Sequence, residues 1–449
     1  MICNKFILCE FLLKYLTMND FELTDEMKMI ELTIAGGGNV MITGGAGVGK
    51  STFMRYLKES GHNFITLAPT GMVAMGGAVR GSTIHSFLKV PIGSALRNDH
   101  VTNFNIEYNL PVLKAASMVI IDEISMVRSD VFQTIDNTFK AFLKNDKPFG
   151  GKQMILVGDA YQLPPIVATL TDRRVLEDEY GSKYFFNTKA FKNGSFRVFE
   201  LTKVFRQKDE KFVNILNSVR YGNVTEEQLE VLNSNKHTNK DNNDIIITTR
   251  NNIVDRYNEQ EIDMLTTSEE CFRATITGTI NTKNVRAPEN LRLKKGCKVM
   301  ILINGMGYSN GTIGIYDGYD KLTDSLKVIK PDNSTLYVKK HEFVNVDYTY
   351  KKEERRVEEV VRGTMVQYPI TLAYAISSHK SQGMTFDNVV FDIGSGAFDC
   401  GQVYVSLSRC TSLGGLKISS KLTKDDIWVD KEINKFTQQY VKSHVKKIS

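Results

Sequence analysis

The sequence predicts an α/β protein with two parallel-sheet domains of similar build and a small antiparallel β module inserted in the second. Short apolar runs, typical of buried parallel strands, alternate with helical patterns early in the chain: NVMIT 39–43, FITLA 64–68, MVIID 118–122 and QMILVG 153–158. A second series follows: IIITT 245–249, PITLAYA 369–375, NVVFDI 388–393 and LKIS 416–419. Between the strands at 245 and 369, short strand patterns separated by Asn-Gly and Asp-Gly pairs predict antiparallel hairpins.

Chain length and composition agree with several globular domains. The 449 residues are too many for one compact core, so roughly two to four domains are expected. Lys and Arg total 57 against 51 Asp and Glu, and this net charge of +6 permits a polyanionic partner without requiring one. The six scattered cysteines form no CxxC pair, which supports neither a disulfide framework nor a structural zinc site and fits a reducing cytosol.

The predicted division of the chain follows these patterns. Residues 1–17 are apolar but broken by Lys5, Glu10 and Lys14, so we expect an amphipathic extension, or a working start at Met18, rather than a signal peptide. No other stretch approaches membrane-spanning length. The predicted segments are the extension at 1–20, the first domain at 21–197 and the first part of the second domain at 198–286. The antiparallel module with a hairpin follows at 287–362, and the second part of the second domain with a C-terminal tail at 363–449.

The segment GGAGVGKS, residues 44–51, matches the phosphate-loop pattern GxxxxGK[ST] between a predicted strand and a predicted helix. Its glycines let backbone N–H groups curl around phosphate oxygens, and the positive end of the helix dipole adds to their attraction. Lys50 is expected to reach the β- and γ-phosphates, and the Ser51 hydroxyl to bind Mg²⁺. The predicted nucleotide-binding residues are the loop and the first residues of its helix: Gly44, Gly45, Ala46, Gly47, Val48, Gly49, Lys50, Ser51 and Thr52.

Two acidic residues end the third apolar run, in MVIIDEIS at 118–125. Asp122 is predicted to complete the magnesium coordination, and Glu123 to polarise the attacking water. Gln162 follows the next run, in GDAYQLPPI, and is expected at the same edge of the sheet. Its amide can contact the γ-phosphate or the water, although a turn residue before a Pro-Pro stop is the open alternative. Because a nucleotide kinase needs no such glutamate, the Asp-Glu pair favours hydrolysis.

Arginines usually meet the charge that develops on a transferring phosphoryl group. The two candidates are Arg206 in ELTKVFRQ and Arg409 in GQVYVSLSRC, both in the second predicted domain. Each would reach the nucleotide only across a cleft between domains, so the pair indicates a hinged motor whose closure completes the site. A surface salt bridge is the alternative for either arginine alone.

The order of these motifs resembles that of superfamily 1 helicases, and most closely the PIF (petite integration frequency) family of 5′-to-3′ DNA helicases. The segments that carry the resemblance, from about residue 23 to about residue 416, are GGAGVGKS, APTGMVAMGGAVRGSTIHSFL, IIDEISMV, GDAYQLPPI, ELTKVFRQ, AISSHKSQGMTFD and GQVYVSLSRC. EISMV followed by PFGGKQMILVGDAYQLPP also resembles that family's own signature, which a generic phosphate-loop ATPase would not show.

The resemblance implies two RecA-like domains with ATP and Mg²⁺ between them, a small β-barrel inserted in the second, a small DNA-wedge insertion in the first, and single-stranded DNA across both. The residues that it makes catalytic are Glu123, Lys50, Gln162, Arg206 and Arg409. Gln382 and Gly383 would sense the nucleotide as the cleft closes. The DNA contacts that it implies are Thr70, Thr83, His85, Asn310, His379 and Lys380. His379 first suggests a general base, but Glu123 takes that role.

The implied partners are single-stranded DNA and duplex junctions, with four-stranded guanine DNA and RNA–DNA hybrids left open. A monomer is expected, in the cytoplasm and associated with the nucleoid if the source is bacterial or a phage. The family's fields of action are DNA replication, repair, recombination and telomere maintenance. Related helicases usually carry a glutamine upstream of the phosphate loop, but LTDEMKMI (23–30) has Met27 at that place, which removes the expected basis for adenine selectivity.

Three classes of function remain for a chain with these motifs. The first is an ATP-driven helicase, the second a DNA-dependent ATPase that remodels protein–DNA complexes without separating strands, and the third a degenerate nucleotide-binding protein with a structural role. The intact basic and acidic residues of the predicted site argue against the third: Lys50, Asp122, Glu123, Arg206 and Arg409. The resemblance favours the first.

Overall fold

The computed structural model describes residues 23–77, 79–90, 107–236, 244–305, 308, 310–351 and 356–441. The predicted N-terminal extension, 1–20, and the last part of the predicted tail, 442–449, lie outside these residues. Within the described ranges, no helix is long and apolar enough to cross a membrane.

The first parallel sheet has six strands among the described residues. They are β1 Val40–Gly44, β2 Phe64–Ala68, β3 Ser82–Thr83, β4 Met118–Ile121, β5 Gln153–Val157 and β6 Arg197–Leu201. Their order is β3-β2-β4-β5-β1-β6, and every neighbouring pair is parallel. The four strands predicted here are confirmed. The sequence pattern does not predict β3, which is two residues long, or β6, whose RVFEL sequence includes two charged residues.

Helices connect these strands, and most of them begin at a threonine side-chain cap or, in one case, at a glycine. In chain order they are α1 Asp25–Ala35, α2 Lys50–Glu59, α3 Gly71–Gly76, α4 Ile84–Leu88, α5 Leu110–Ala115, α6 Ser129–Leu143, α7 Leu170–Tyr180 and α8 Lys189–Asn193. The Thr24 side chain caps α1 by accepting from the Met27 N–H, and Thr169 caps α7 in the same way. Phe132 on α6 meets the ring of Phe149 edge to face at 5.6 Å, inside the core of this domain.

The second half of the chain adds a parallel sheet and antiparallel strands. The strands are β7 Ile245–Thr248, β8 Glu269–Arg273, β9 Thr275–Gly278, β10 Asn290–Lys294, β11 Lys298–Ile301, β12 Ile313–Asp320, β13 Ser325–Ile329, β14 Thr335–Lys339, β15 His341–Lys351, β16 Arg356–Gln367, β17 Ile370–Leu372, β18 Ala375–Ser377, β19 Val389–Asp392 and β20 Leu416–Ile418. The helices are α9 Glu210–Tyr221, α10 Glu226–Ser234, α11 Asn251–Asp263, α12 Gln402–Leu407 and α13 Lys431–Phe436.

The second parallel sheet has the order β18-β7-β19-β20. One of its predicted strands, PITLAYA 369–375, is wrong as a single strand. Its first half is β17, which pairs antiparallel with β11, and its end begins β18, which pairs parallel with β7. Both halves are apolar, so hydrophobicity alone does not reveal that the chain passes from one sheet to another.

The antiparallel strands form the sheets β14-β13-β12-β11-β17, β15-β16-β9 and β10-β8. They extend from residue 269 to residue 372, beyond the predicted module at 287–362. The predicted boundary between residues 197 and 198 falls inside β6, which pairs with β1 in the first sheet. Closure of these strands into a barrel and the division into domains stay predictions.

Two segments from the second half of the chain return to the first domain. In the hairpin of β15 and β16, Tyr348 is buried in the first core, and its hydroxyl accepts a hydrogen bond from the Thr66 N–H at 3.0 Å. Phe436, the last residue of α13, stacks on Phe186 with ring centroids 4.4 Å apart. The Tyr184 hydroxyl donates to Asp430, the residue before α13, at 2.8 Å. These contacts fix the antiparallel hairpin and the C-terminal helix on the first core.

Candidate active site

The phosphate loop joins β1 to α2 at the edge of the sheet where the parallel strands end. Gly49 has a φ of 90°, a conformation that glycine adopts without strain, and α2 begins at the next residue. The Lys50 ammonium donates to the carbonyl oxygens of Gly44, at 2.6 Å, and Gly45, at 2.8 Å. Burial lowers the pKa of Lys50, although the nearby carboxylates of Asp159 and Glu123 oppose this shift. The loop therefore presents a half-buried cation and backbone donors suited to phosphate.

The acidic pair follows β4, the second neighbour of β1 in this sheet. Asp122 and Glu123 are both half-buried, and the Asp122 carboxylate accepts a hydrogen bond from the Glu123 N–H at 2.9 Å. Burial raises the pKa of Asp122 to about 6 and the pKa of Glu123 to about 7, where the charge of Asp122 adds to the effect. A carboxyl group that titrates near neutral pH suits a general base.

Gln162 and Gln382 meet across the cleft between the two parallel sheets. The Gln382 amide nitrogen donates to the Gln162 side-chain oxygen at 3.3 Å, and both side chains are buried. Gln162 follows β5 in the first sheet, whereas Gln382 follows β18 in the second. Gly383, with a φ of 80°, is next in the same turn. The structure thus brings together three residues that the sequence assigned to nucleotide sensing.

Arg206 and Arg409 also lie in this cleft. Arg206 comes so close to the phosphate loop that a Cβ atom at Gly47 would be 2.5 Å from its own Cβ, and its guanidinium donates to the Ser408 carbonyl at 3.0 Å. Arg409 is almost fully buried, and its described hydrogen bonds go to neutral oxygens, among them the Val405 carbonyl at 2.8 Å. Burial and the charge of Arg206 lower the pKa of Arg409 to about 9. A buried guanidinium without a carboxylate partner is suited to an anionic ligand.

The side chains available for a magnesium ion are hard oxygen donors. The Ser51 hydroxyl is exposed at the start of α2, and Asp122 contributes a carboxylate. Within the described ranges, no group of three or more His, Cys, Asp and Glu side chains could hold a metal by itself. Mg²⁺ usually takes one or two protein ligands together with phosphate oxygens and water, and Ser51 and Asp122 are two such oxygen donors.

The two threonines predicted to contact DNA are helix caps. Thr70 Oγ1 accepts from the Val73 N–H at the start of α3, and Thr83 Oγ1 accepts from the Ser86 N–H at the start of α4. Each hydroxyl hydrogen can still be donated to a phosphate oxygen. Thr70 follows β2 and Thr83 is the last residue of β3, so the hydroxyls lie at the carboxyl edge of the first sheet.

The other predicted DNA contacts lie on three different elements. Burial lowers the pKa of His85, on α4, and the pKa of His379, in the turn after β18. Lys380, beside His379, is exposed. The Asn310 N–H donates to Asn304, while its buried side-chain oxygen has no partner among the described residues. No described contact joins these residues to one another, so their common role stays a prediction.

Several residues near the site are absent from the sequence prediction. Tyr404, on α12, accepts a hydrogen bond from the Ala46 N–H of the phosphate loop at 2.8 Å. The half-exposed ring of Phe205 would be 3.4 Å from a Cβ atom at Gly49. Tyr404 lies in the motif GQVYVSLSRC with Arg409, and Phe205 lies in ELTKVFRQ beside Arg206. Their proximity in sequence to the predicted arginines is the signal by which both residues could have been predicted.

Two further arginines and one methionine lie close to the nucleotide site. Arg220 forms a buried ion pair with Asp159, and no motif in the sequence points to it. Arg286 donates to the Gln382 carbonyl at 3.2 Å. Met27 is fully buried, and its Cε would be 3.2 Å from a Cβ atom at Gly49. Its thioether offers no amide to a nucleotide base, so weaker adenine selectivity stays a prediction.

The fold and the site define a phosphate-loop protein in which Arg206 approaches the loop from the end of β6 and Arg409, before β20 of the second sheet, lies near Arg206 and Glu123. Residues 22–230 match the family described as PIF1-like helicase. The chain is 30% identical to the ATP-dependent DNA helicase Pif1 of Psychrobacter sp. (strain PRwf-1), over 85% of this chain and 66% of that protein. It therefore spans slightly less than two thirds of that relative's length.

Solved structures extend this similarity over almost the whole chain. The structure of Bacteroides sp Pif1 in complex with ADP-AlF4 is 35% identical, with a TM-score of 0.87, covering 94% of this chain and 98% of that one. The structure of Bacteroides Pif1 bound to ssDNA is 34% identical, with a TM-score of 0.68, covering 95% of this chain and 98% of that one. The chain belongs to the PIF1-like helicase family.

Proposed function

We propose that this chain is an ATP-dependent DNA helicase that moves 5′-to-3′ along single-stranded DNA and unwinds duplex DNA. The observation that carries the proposal is the convergence of Lys50, Glu123 and Arg206, which follow strands of the first sheet, with Arg409, which precedes β20 of the second sheet. A site divided between two bodies can open and close with the nucleotide state, as a motor requires. The two sheets would be RecA-like domains, and the antiparallel strands a small barrel.

The proposed reaction is hydrolysis of ATP. Lys50 and the backbone of the phosphate loop bind the β- and γ-phosphates, and Ser51 and Asp122 would hold Mg²⁺, which neutralises phosphate charge. Glu123 accepts a proton from the attacking water. Arg206 and Arg409 stabilise the charge on the transferring phosphoryl group. The Phe205 ring offers a stacking face to the base. The ADP-AlF4 complex of the Bacteroides relative supports nucleotide binding.

The proposed DNA path crosses both parallel-sheet domains. Its contacts are hydroxyl, imidazole, amide and ammonium groups: Thr70, Thr83, His85, Asn310, His379 and Lys380. Such groups suit a motor, which must hold the backbone at every sequence rather than read bases. The ssDNA-bound structure of the Bacteroides relative supports this partner. His379 and Gln382 lie in one turn, so that turn would couple the DNA grip to the nucleotide state.

Strand displacement tests the proposal. Duplexes with a 5′ or a 3′ single-stranded overhang are mixed with the protein, ATP and Mg²⁺, and the Glu123→Gln variant serves as the inactive control. We expect displacement of the 5′-tailed duplex only. Unwinding of the 3′-tailed duplex alone would refute the polarity. DNA-stimulated hydrolysis without displacement of either substrate would instead identify an ATPase that remodels protein–DNA complexes.

The wider setting follows from the same proposal. A helicase of this family fits a role in DNA replication, repair, recombination or telomere maintenance. Action as a monomer fits as well, and so does a cytoplasmic, nucleoid-associated place in a bacterial or phage setting. Four-stranded guanine DNA and RNA–DNA hybrids are further substrates to compare in the displacement assay.

A further inference from the structure

Arg220, near the end of α9, makes the densest ion-pair cluster of the cleft. Its Nε and Nη2 atoms donate to the two carboxylate oxygens of Asp159, each at 3.0 Å. Its Nη1 atom donates to Glu200 at 2.8 Å and to the Tyr221 hydroxyl at 2.8 Å. The Arg220 side chain is 4% exposed and that of Asp159 0%. The buried guanidinium therefore donates four hydrogen bonds, and two of them form a bidentate contact with one carboxylate.

The cluster joins the first sheet to a helix that packs in the second core. Arg220 is carried by a helix whose apolar residues belong to the second core, whereas Asp159 and Glu200 belong to the first domain. The guanidinium lies 5.0 Å from the ring centroids of both Tyr161 and Tyr221, which meet edge to face. Arg220 is thus fixed from several sides, and its contacts cross the cleft.

The cluster also lies beneath the nucleotide site. A Cβ atom at Gly45 of the phosphate loop would be 4.0 Å from the Cδ of Arg220. The charges of Asp159 and Arg220 act on Lys50 in opposite directions, Asp159 raising its pKa and Arg220 lowering it. Asp159 is three residues before Gln162, and its carbonyl accepts from the Gln162 N–H at 2.9 Å. The Asp159 carboxylate in turn accepts from the Tyr161 N–H at 3.2 Å. This side chain therefore acts on the charge of Lys50 and also contacts the turn that presents Gln162.

We propose that Arg220 is a positioning residue of the nucleotide site, which neutralises Asp159 across the cleft and so keeps this carboxylate from capturing Lys50 and from repelling the triphosphate. The inference rests on the proposed nucleotide site. Its physical basis is that a buried carboxylate without a partner interacts strongly with every nearby charge. With Arg220 in place, Lys50 faces the loop carbonyls and is available to phosphate. The bidentate contact also orients the turn that carries Gln162.

A charge-neutral double replacement separates this role from a general contribution to folding. Binding of N-methylanthraniloyl-ATP with Mg²⁺ is measured by fluorescence for the parent, Arg220→Met, Asp159→Asn and the double variant. Arg220→Met is expected to weaken binding by roughly ten- to a hundredfold, because Asp159 loses its partner. The double variant, in which neither charge remains, is expected to bind within roughly threefold of the parent.

Two more variants make the test decisive. Arg292→Met removes an arginine of comparable size from an exposed ion pair with Glu269 and should change binding by less than about twofold. Arg220→Lys keeps the charge but not the fork, so it should bind within roughly threefold of the parent and lower kcat, since the Gln162 turn is held less firmly. It serves as the readout if Arg220→Met does not fold.

Each outcome has one meaning. Parental affinity in Arg220→Met, or a double variant that binds no better than Arg220→Met, would overturn the role of Arg220. Loss of affinity in Arg220→Lys as large as in Arg220→Met would also overturn it, because charge would not be the deciding property. Failure of the parent itself to bind N-methylanthraniloyl-ATP would instead reject the proposed nucleotide site.

Discussion

Replacing Glu123 by glutamine removes the proposed general base while keeping the size and hydrogen-bonding shape of the side chain. The parent structure raises the pKa of this carboxyl from 4.5 to about 7, through burial and the neighbouring charge of Asp122. In the variant we expect nucleotide binding to persist and turnover to fall by about a hundred- to a ten-thousandfold, the usual contribution of a general base.

The same shift predicts a pH dependence of stability. Because the folded state favours the protonated carboxyl, ionisation of Glu123 destabilises the parent as the pH rises from 4.5 to about 7. At about 1.4 kcal/mol per pH unit, the full shift corresponds to about 3 kcal/mol, and partial solvent access reduces it to roughly 2 kcal/mol. The variant carries no such charge. Its advantage over the parent should therefore be absent near pH 4.5 and complete above pH 7.

Two assays check these expectations. Thermal unfolding without nucleotide, at pH values from 5 to 8, should show the midpoint of Glu123→Gln moving above that of the parent as the pH rises. The kcat/KM of the parent should rise through an ionisation near pH 7, since this ratio reports groups of the free enzyme. Glu31→Gln is the matched control, because burial raises the pKa of Glu31 but this residue lies outside the proposed site. Normal hydrolysis by Glu123→Gln would refute the role given to Glu123.

Three further predictions address other parts of the structure. Arg409→Ala should lower ATP hydrolysis by about a thousandfold, as for an arginine that meets transition-state charge. Its affinity for single-stranded DNA, measured by anisotropy, should change little, and surviving hydrolysis would contradict the cross-cleft model. Phe205→Ala should raise the KM for ATP about tenfold through loss of stacking, and Phe205→Trp should preserve it; equal KM values in all three proteins would exclude a stacking role. Phe436→Ala should destabilise the protein by about 3 to 5 kcal/mol in urea unfolding, because it removes the ring stacked on Phe186. An unchanged transition would show that this contact does not fix the C-terminal helix on the first core.

Most strands of the two parallel sheets are predictable from the sequence, because buried parallel strands are short and almost wholly apolar. The strands of the first sheet that flank the phosphate loop and the acidic pair illustrate this. PITLAYA shows the limit, since an apolar run does not say which sheet receives each half. The hairpin contact of Tyr348 with Thr66 is equally inaccessible, because its partners are 282 residues apart.

The candidate site divides in the same way. The phosphate loop and the Asp-Glu pair are recognisable because their chemistry needs particular residue types at fixed local spacing. Arg220 has no such spacing, and Asp159 lies in a motif in which Gln162 is the residue with a predicted role at the nucleotide. Their ion pair becomes visible only when α9 is placed against the first sheet.

The α/β class, the phosphate loop, the acidic pair after β4 and the family resemblance that implies ATP and DNA are all readable from the sequence. These features depend on a few consecutive residues, whose backbone conformation and chemistry are local. Which side chains face one another across the cleft is visible only in the folded protein. Gln162 meets Gln382, Ala46 meets Tyr404, and Asp159 meets Arg220. These contacts depend on how the elements of the two sheets pack against each other, and no local sequence pattern encodes that packing.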